Sequence, residues 1–295
     1  MRLFISIVLA FFLLPVFRLA AEDKIRWETF TEKETKHFIP SAKGTAAKRA
    51  EEHPGEAIAG KEEAQPAEVD YLYLKPVSGA PPTVLAKIEQ TLARSFQAQG
   101  FAGDDYDTKM SPRELLKEGK DRFFKAYQED LDCRLDTGLP TLTSDHWFSI
   151  WTVQVGHETP TLLCVKGYYH DYAGGMHDLA MTSYFIFDKR TGDVFSHEQI
   201  LRPNSNKAVT ELIKRELRKD KRIGPTNSLE EAGVWEEKIS PGAGEIFITQ
   251  DGLGTHFNEY SIACYAFGPT DILIRWAEIK PYLTDEFRHL ALSGK

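Results

Sequence analysis

The stretch Asp145 to Gly192, DHWFSIWTVQVGHETPTLLCVKGYYHDYAGGMHDLAMTSYFIFDKRTG, decides the fold. It divides into three strand-like runs: Asp145–Val155, Thr161–Asp171 and Met176–Asp188. Aromatic and β-branched residues fill the runs, and Gly, Pro and Asp punctuate them. The separators are Gly156-His157-Glu158-Thr159-Pro160 and Ala173-Gly174-Gly175, with Asp188-Lys189-Arg190-Thr191-Gly192 closing the run. Strands joined by such short turns read as antiparallel neighbours.

Upstream, Val69–Leu74 alternates like a strand, and Pro76 is expected to end it at a sheet edge. A helix opens at Pro81-Pro82-Thr83, with Leu85, Ile88, Leu92 and Phe96 on one face and Gly100 as its stop. Ser111-Pro112-Arg113-Glu114 starts a second, with Leu116, Phe123, Tyr127 and Leu131 as its apolar stripe. Gly119 weakens that helix and marks close packing on a neighbour. Downstream, Asn204 or Ser205 caps a third helix with Val209, Leu212, Ile213 and Leu217 inward. Its basic end, Lys214 to Arg222, reads as a solvated helix terminus rather than an anion site. Glu245–Gln250, Gly254–Phe257 and Asp271–Trp276 read as further strands of the same sheet. The expectation is an α+β protein: one antiparallel β-sheet with helices packed on it, a single domain over residues 69–290.

The N-terminus bears on compartment. Met1-Arg2 precedes an apolar run from Leu3 to Phe17, and Leu19-Ala20-Ala21 supplies small residues. That order is a secretory signal peptide, residues 1–21, and the run is shorter than the roughly 20 residues of a bilayer span. Residues 22–68 are rich in Ala, Lys, Glu, Gly and Pro and are expected to form a disordered tether. Within it, Ile25–Phe30 could pair as a short strand. The expected location is the periplasm or the extracellular space.

With 36 Lys+Arg against 44 Asp+Glu, the formal charge is −8. Loss of residues 1–21 would remove Arg2 and Arg18 and no acid. An acidic chain repels nucleic acid and suits a basic partner, although such a charge also serves solubility. The cysteines, Cys133, Cys164 and Cys264, show no Cys-x-x-Cys spacing; Cys164 and Cys264 read as strand residues, buried as thiols or paired.

Near the C-terminus Asp251-Gly252 is followed by Phe257, Tyr260, Ile262, Tyr265, Ala266, Gly268 and Pro269. This spacing resembles Phe-x-x-Tyr-x-Ile-x-x-Tyr-Ala-x-Gly-Pro of the RsiV-like family of extracytoplasmic bacterial domains. Gly174-Gly175-Met176-His177 resembles that family's Gly-Gly-x-His turn, and Phe187–Gly192 its Phe-Asp-x-x-Thr-Gly hairpin. The resemblance spans roughly Val69 to Leu283. It implies an antiparallel α+β fold. It also implies kinship with a lysozyme-binding anti-sigma-factor ectodomain and with non-catalytic domains attached to peptidoglycan deacetylases.

The chemistry points to contact rather than turnover. Tyr169, Tyr172, Gly174, Gly175 and His177 belong to the expected binding set because aromatic, His and Gly residues near a turn suit recognition, and the resemblance adds Tyr260 and Tyr265 to it. Strand packing is the competing role for Tyr168 and its neighbours. His170 and His177 could face each other across the Gly-Gly turn, and Asp171 and Asp178 lie nearby, but no metal-ligand spacing is present. No nucleophile elbow surrounds Ser183, Ser196 or Ser261, and no Gly-rich phosphate loop occurs, so no cofactor is expected. The expected function is an exported, non-catalytic module for a cell-envelope partner, with a lysozyme-like protein as the concrete candidate. Its competitors are a cell-wall hydrolase or esterase working near His177 and a purely structural envelope protein.

Overall fold

The computed structural model describes residues 24–38, 66–98, 109–137, 146–220, 222–224 and 228–293. The expected leader and most of the expected tether lie outside the described residues. The start of that tether is different from the expectation. Arg26–Lys36 forms strand β1 and pairs antiparallel along β2, Ala67–Ser78. Ile25 and Phe38 are buried at its ends, and Trp27 and Phe30 pack on the core. These apolar residues are enough to hold the segment once β2 offers an edge.

The main sheet runs β1-β2-β3-β4-β5, with β3 at Phe148–Glu158, β4 at Leu162–Tyr172 and β5 at Leu179–Asp188. β3, β4 and β5 form the antiparallel meander expected from their turns. β2 and β3, however, pair in parallel. A parallel neighbour needs a crossover, and helices α1, Pro82–Ala98, and α2, Pro112–Thr137, supply it. Ser111 and Glu114 open α2 as a reciprocal capping box. Pro76 does not end an edge strand. It sits within β2 at a register shift opposite Trp27, beyond the Glu68–Leu72 segment that pairs with β3. A proline is tolerated there because β3 no longer pairs with that part of β2.

Under the two helices lies an aromatic core. Phe96 meets Tyr71 and Trp151 edge to face, with ring centroids 5.3 and 4.7 Å apart. Gly119 makes this possible, since a Cβ there would stand 2.7 Å from the Phe96 ring.

The last strands do not continue the main sheet as expected. β6, Glu245–Ile248, β7, Gly252–Phe257, and β8, Thr270–Arg275, form a separate antiparallel sheet. The free edge of β5 is closed by side chains instead. The Asn258 amide occupies both backbone groups of Thr182, and the Glu245 carboxylate accepts from the Tyr184 N–H at 3.2 Å. Such plugging stops an edge strand from recruiting another. Around the second sheet pack α3, His197–Ile200, α4, Asn206–Leu217, α5, Trp276–Ile279, and α6, Asp285–Leu292. Their shared core is mainly Ile, Leu, Val and Phe.

The two cores lie on opposite faces of β4 and β5. Leu163 and Val165 face the helices α1 and α2, while Leu162 and Cys164 face the second sheet. This double burial explains the unbroken apolar run Leu162–Val165 in an antiparallel strand. The second sheet covers only the β5 side. Towards β1 the face is open as a groove of about 300 Å³, lined by Lys33, Glu68, Asp70, His146, Phe148 and His170 among others.

Candidate functional site

The turn from β4 to β5 is built for a left-handed backbone. Gly174 and Gly175 have φ of +86° and +110°, values that side chains resist. A Cβ on Gly174 would stand 3.4 Å from Nε1 of Trp147. The Tyr172 hydroxyl donates to the Gly175 carbonyl at 3.0 Å and steadies the turn. Met176 at its tip is fully exposed.

His177 then turns toward the second sheet and stacks on Tyr265, with centroids 3.9 Å apart and planes at 19°. Its Nδ1 lies 2.8 Å from the Asp178 carbonyl, which can only accept, so Nδ1 carries the proton. Its Nε2, 3.0 Å from the Tyr260 hydroxyl, accepts from it. Tyr260 has φ +62°, the one non-glycine residue with positive φ among the described residues. That conformation costs about 1 kcal/mol, and strain of this kind gathers at functional sites. Tyr260 is also 48% exposed, so little packing offsets it. His177, Tyr260 and Tyr265 form a ridge at the rim of the open sheet face.

Asp178 ties the ridge to the main sheet. One carboxylate oxygen accepts from the Tyr265 hydroxyl, and the other meets Nε2 of His170 on β4. The Tyr265 bond first, and His170 second, hold its carboxyl below the usual carboxylate range. The same bond pushes the Tyr265 phenol up to about 12. His170 rests edge-on against Phe148 at 4.8 Å, which carries the aromatic surface into the groove.

The expected set is only partly assembled. Tyr172, Gly174, Gly175, His177, Tyr260 and Tyr265 sit around one turn and one facing loop. Tyr169 does not join them. It is 6% exposed and packs into the aromatic core on the opposite face, because consecutive strand residues alternate sides. Asp171 shares that face, and burial raises its carboxyl to about 6 against opposing hydrogen bonds from Tyr169 and Ser149. Nor do His170 and His177 face each other across the turn. Asp178 takes the first and Tyr265 the second. Among the described residues no group of three or more His, Cys, Asp or Glu is placed to hold a metal ion. Ser196 opens α3, with its hydroxyl on Glu198, and Ser261 follows a turn at Asn258. Cys164 is buried, its thiol pushed up to about 11, whereas Cys264 lies exposed before a short 3₁₀ turn rather than in a strand.

Asp178, Phe148 and Asn258 escaped sequence reasoning as parts of this surface. Asp178 was visible only as a neighbour of His177, and Asn258 carries no local signal of its edge-plugging role.

The arrangement defines a class: a mixed α+β protein of antiparallel sheets and helices with an open sheet face. Solved structures carry the same fold. A DUF3298 family member from Bacteroides fragilis matches with a TM-score of 0.71 at 18% identity, covering 92% of this chain and 100% of that one. A DUF3298 family protein from Pseudomonas aeruginosa matches with a TM-score of 0.50 at 15% identity, covering 90% and 97%. In sequence, residues 193–277 match DUF3298, a protein family of unknown function. That stretch runs from the end of the β5 hairpin through β8 and holds much of the second core. A comparison with curated proteins finds no match.

Proposed function

We propose that this chain is an exported, non-catalytic binding module of the RsiV-like kind, using the His177–Tyr260–Tyr265 ridge to hold a cell-envelope partner. The carrying observation is the meeting of two distant sequence pieces. The Gly-Gly-x-His turn and the Tyr-x-Ile-x-x-Tyr segment touch through His177 and both tyrosines. Rigid, half-exposed aromatics with polar tips give large contact area at low entropic cost. Export is supported by the apolar N-terminal run with its small-residue end. The acidic balance, −8 overall, suits a basic protein such as a lysozyme.

Pull-down of lysozyme on the immobilised chain at low and high salt tests this. Retention at low salt, weakened by salt and by Tyr260→Ala, is expected. No retention at low salt removes lysozyme as the partner.

A second reading has one observation in its favour. A histidine paired with a carboxylate, His170 with Asp178, is half of an acid–base device. Turnover of peptidoglycan fragments that His170→Ala and His177→Ala abolish would favour a hydrolase over a binding module.

A further inference from the structure

Asn258 follows β7 and lays its amide along the edge of β5. Its Oδ1 accepts from the Thr182 N–H at 2.7 Å, and its Nδ2 donates to the Thr182 carbonyl at 2.9 Å. This pair fixes the amide's direction, because a flipped amide would set donor against donor and acceptor against acceptor. The same Oδ1 lies 3.1 Å from Nε2 of His256. Nδ1 of that ring lies 2.7 Å from a carboxylate oxygen of Asp271. Both ring nitrogens therefore face acceptors. A neutral imidazole has one donor and one acceptor, so only the doubly protonated ring satisfies both partners.

The surroundings suit a cation held in place. His256 is 5% exposed. Asp271 faces it from β8, and Glu245 is its register partner on β6. The Tyr184 ring approaches from β5 at 6.0 Å, and Lys166 on β4 lies over that ring. The bond from His256 is the largest influence holding Asp271 below the usual carboxylate range, with Lys166 a lesser one.

We propose that His256 is a proton-operated clasp between the two sheets: its doubly protonated ring holds Asn258 on β5, and loss of one proton as pH rises releases it. The loop that begins at Asn258 carries Tyr260, so release loosens one side of the aromatic ridge. The sign follows from the partners. The clasp is present in acid solution, and it is lost as rising pH takes a proton from the ring. The far end of the loop keeps its own anchor, the Trp235 N–H donating to the Ile262 carbonyl at 2.7 Å, so the opening is local.

Amide hydrogen exchange at Thr182, corrected for the intrinsic effect of pH, reads the clasp directly in the unliganded chain. Protection is expected to fall about tenfold or more from mildly acid to mildly alkaline solution, while the β3–β4 pairing stays protected. His256→Gln, uncharged at every pH, is expected to flatten the dependence. Nitrogen shifts of the native ring provide a check that needs no variant: both nitrogens should be protonated wherever Thr182 is protected. Protection that ignores pH, pH dependence that survives in His256→Gln, or a singly protonated ring in the protected state would each overturn the clasp. Failure here leaves the binding proposal standing, and failed capture of lysozyme leaves the clasp standing.

Discussion

Tyr169 and Asp171 alternate along β4 with Tyr168, His170 and Tyr172, yet the two sets belong to different regions of the molecule. In the first set Tyr169 is buried and Asp171 half-buried, on the face that α1 and α2 cover with Tyr71 and Ser149. The second points to the other face, where His170 lines the open groove and meets the ridge through Asp178. Their compositions are nearly the same. What separates them is which face of the sheet two helices cover and which face a smaller sheet covers only in part. Aromatic and ionisable residues on a strand thus carry no functional meaning until the covering layers are placed.

The covered face is where substitution should cost most. Trp151→Ala is expected to destabilise by about 3–5 kcal/mol in urea unfolding, since Trp151 is buried against Tyr73 and Phe96. A smaller loss would mean that the aromatic core collapses readily. Asp171 gives the next effect. Its folded carboxyl is raised to about 6 by burial, so its contribution is present below the unfolded value and lost as pH rises through the folded one. Relative to Asp171→Asn, the native chain should lose about 2–3 kcal/mol between acid and neutral pH, read from paired unfolding curves. Parallel curves would place this carboxyl in water.

The second core allows a sterically defined test. A Cβ on Gly254 would lie 2.1 Å from the Phe247 ring, which stacks on Tyr184. Gly254→Ala should cost about 1–3 kcal/mol in thermal or urea unfolding, as overpacking does. On the open face the effects shrink. Asp178→Asn should cost no more than about 1 kcal/mol, because its side chain is 36% exposed and its pairs are screened. The native contribution is present above the unfolded carboxylate value and lost as pH falls through the lowered folded one, so the difference should vanish in strong acid. Tyr260→Ala should change stability least, within about 1 kcal/mol, while weakening partner capture about tenfold or more. Equal losses of stability from Tyr260→Ala and Trp151→Ala would erase the contrast between the faces.

Much of the fold was legible because its signals are local. The Gly-Gly turn, the Thr191-Gly192 hairpin and the capping box at Ser111 each act within a few residues. The apolar period of α1 needed no partner to be read: Ile88, Leu92 and Phe96 are buried as expected, while Leu85 is only partly buried and Val84 is buried beside it. The second sheet was not legible, because its strands are as β-prone as those of the first. What keeps them apart is Asn258 and Glu245 on the β5 edge, polar residues with no periodic signature. The parallel pairing of β2 with β3 was hidden for a similar reason, since a crossover through two helices leaves the direction of return unstated.

For the ridge, local chemistry supplied His177, and Tyr169 by the same reasoning on the wrong face, while Tyr260 and Tyr265 came from the resemblance. By itself the chain determined its strands, turns, helices and acidic balance, because those depend on neighbours in sequence and on summed charge. Only the tertiary structure decided that β4 serves two cores, that a tyrosine from the loop between β7 and β8 stacks on a histidine from the β4–β5 turn, and that His256 stands between two acceptors. Each of these depends on groups distant in sequence brought within a hydrogen bond or a ring's width, a distance that no local periodicity encodes.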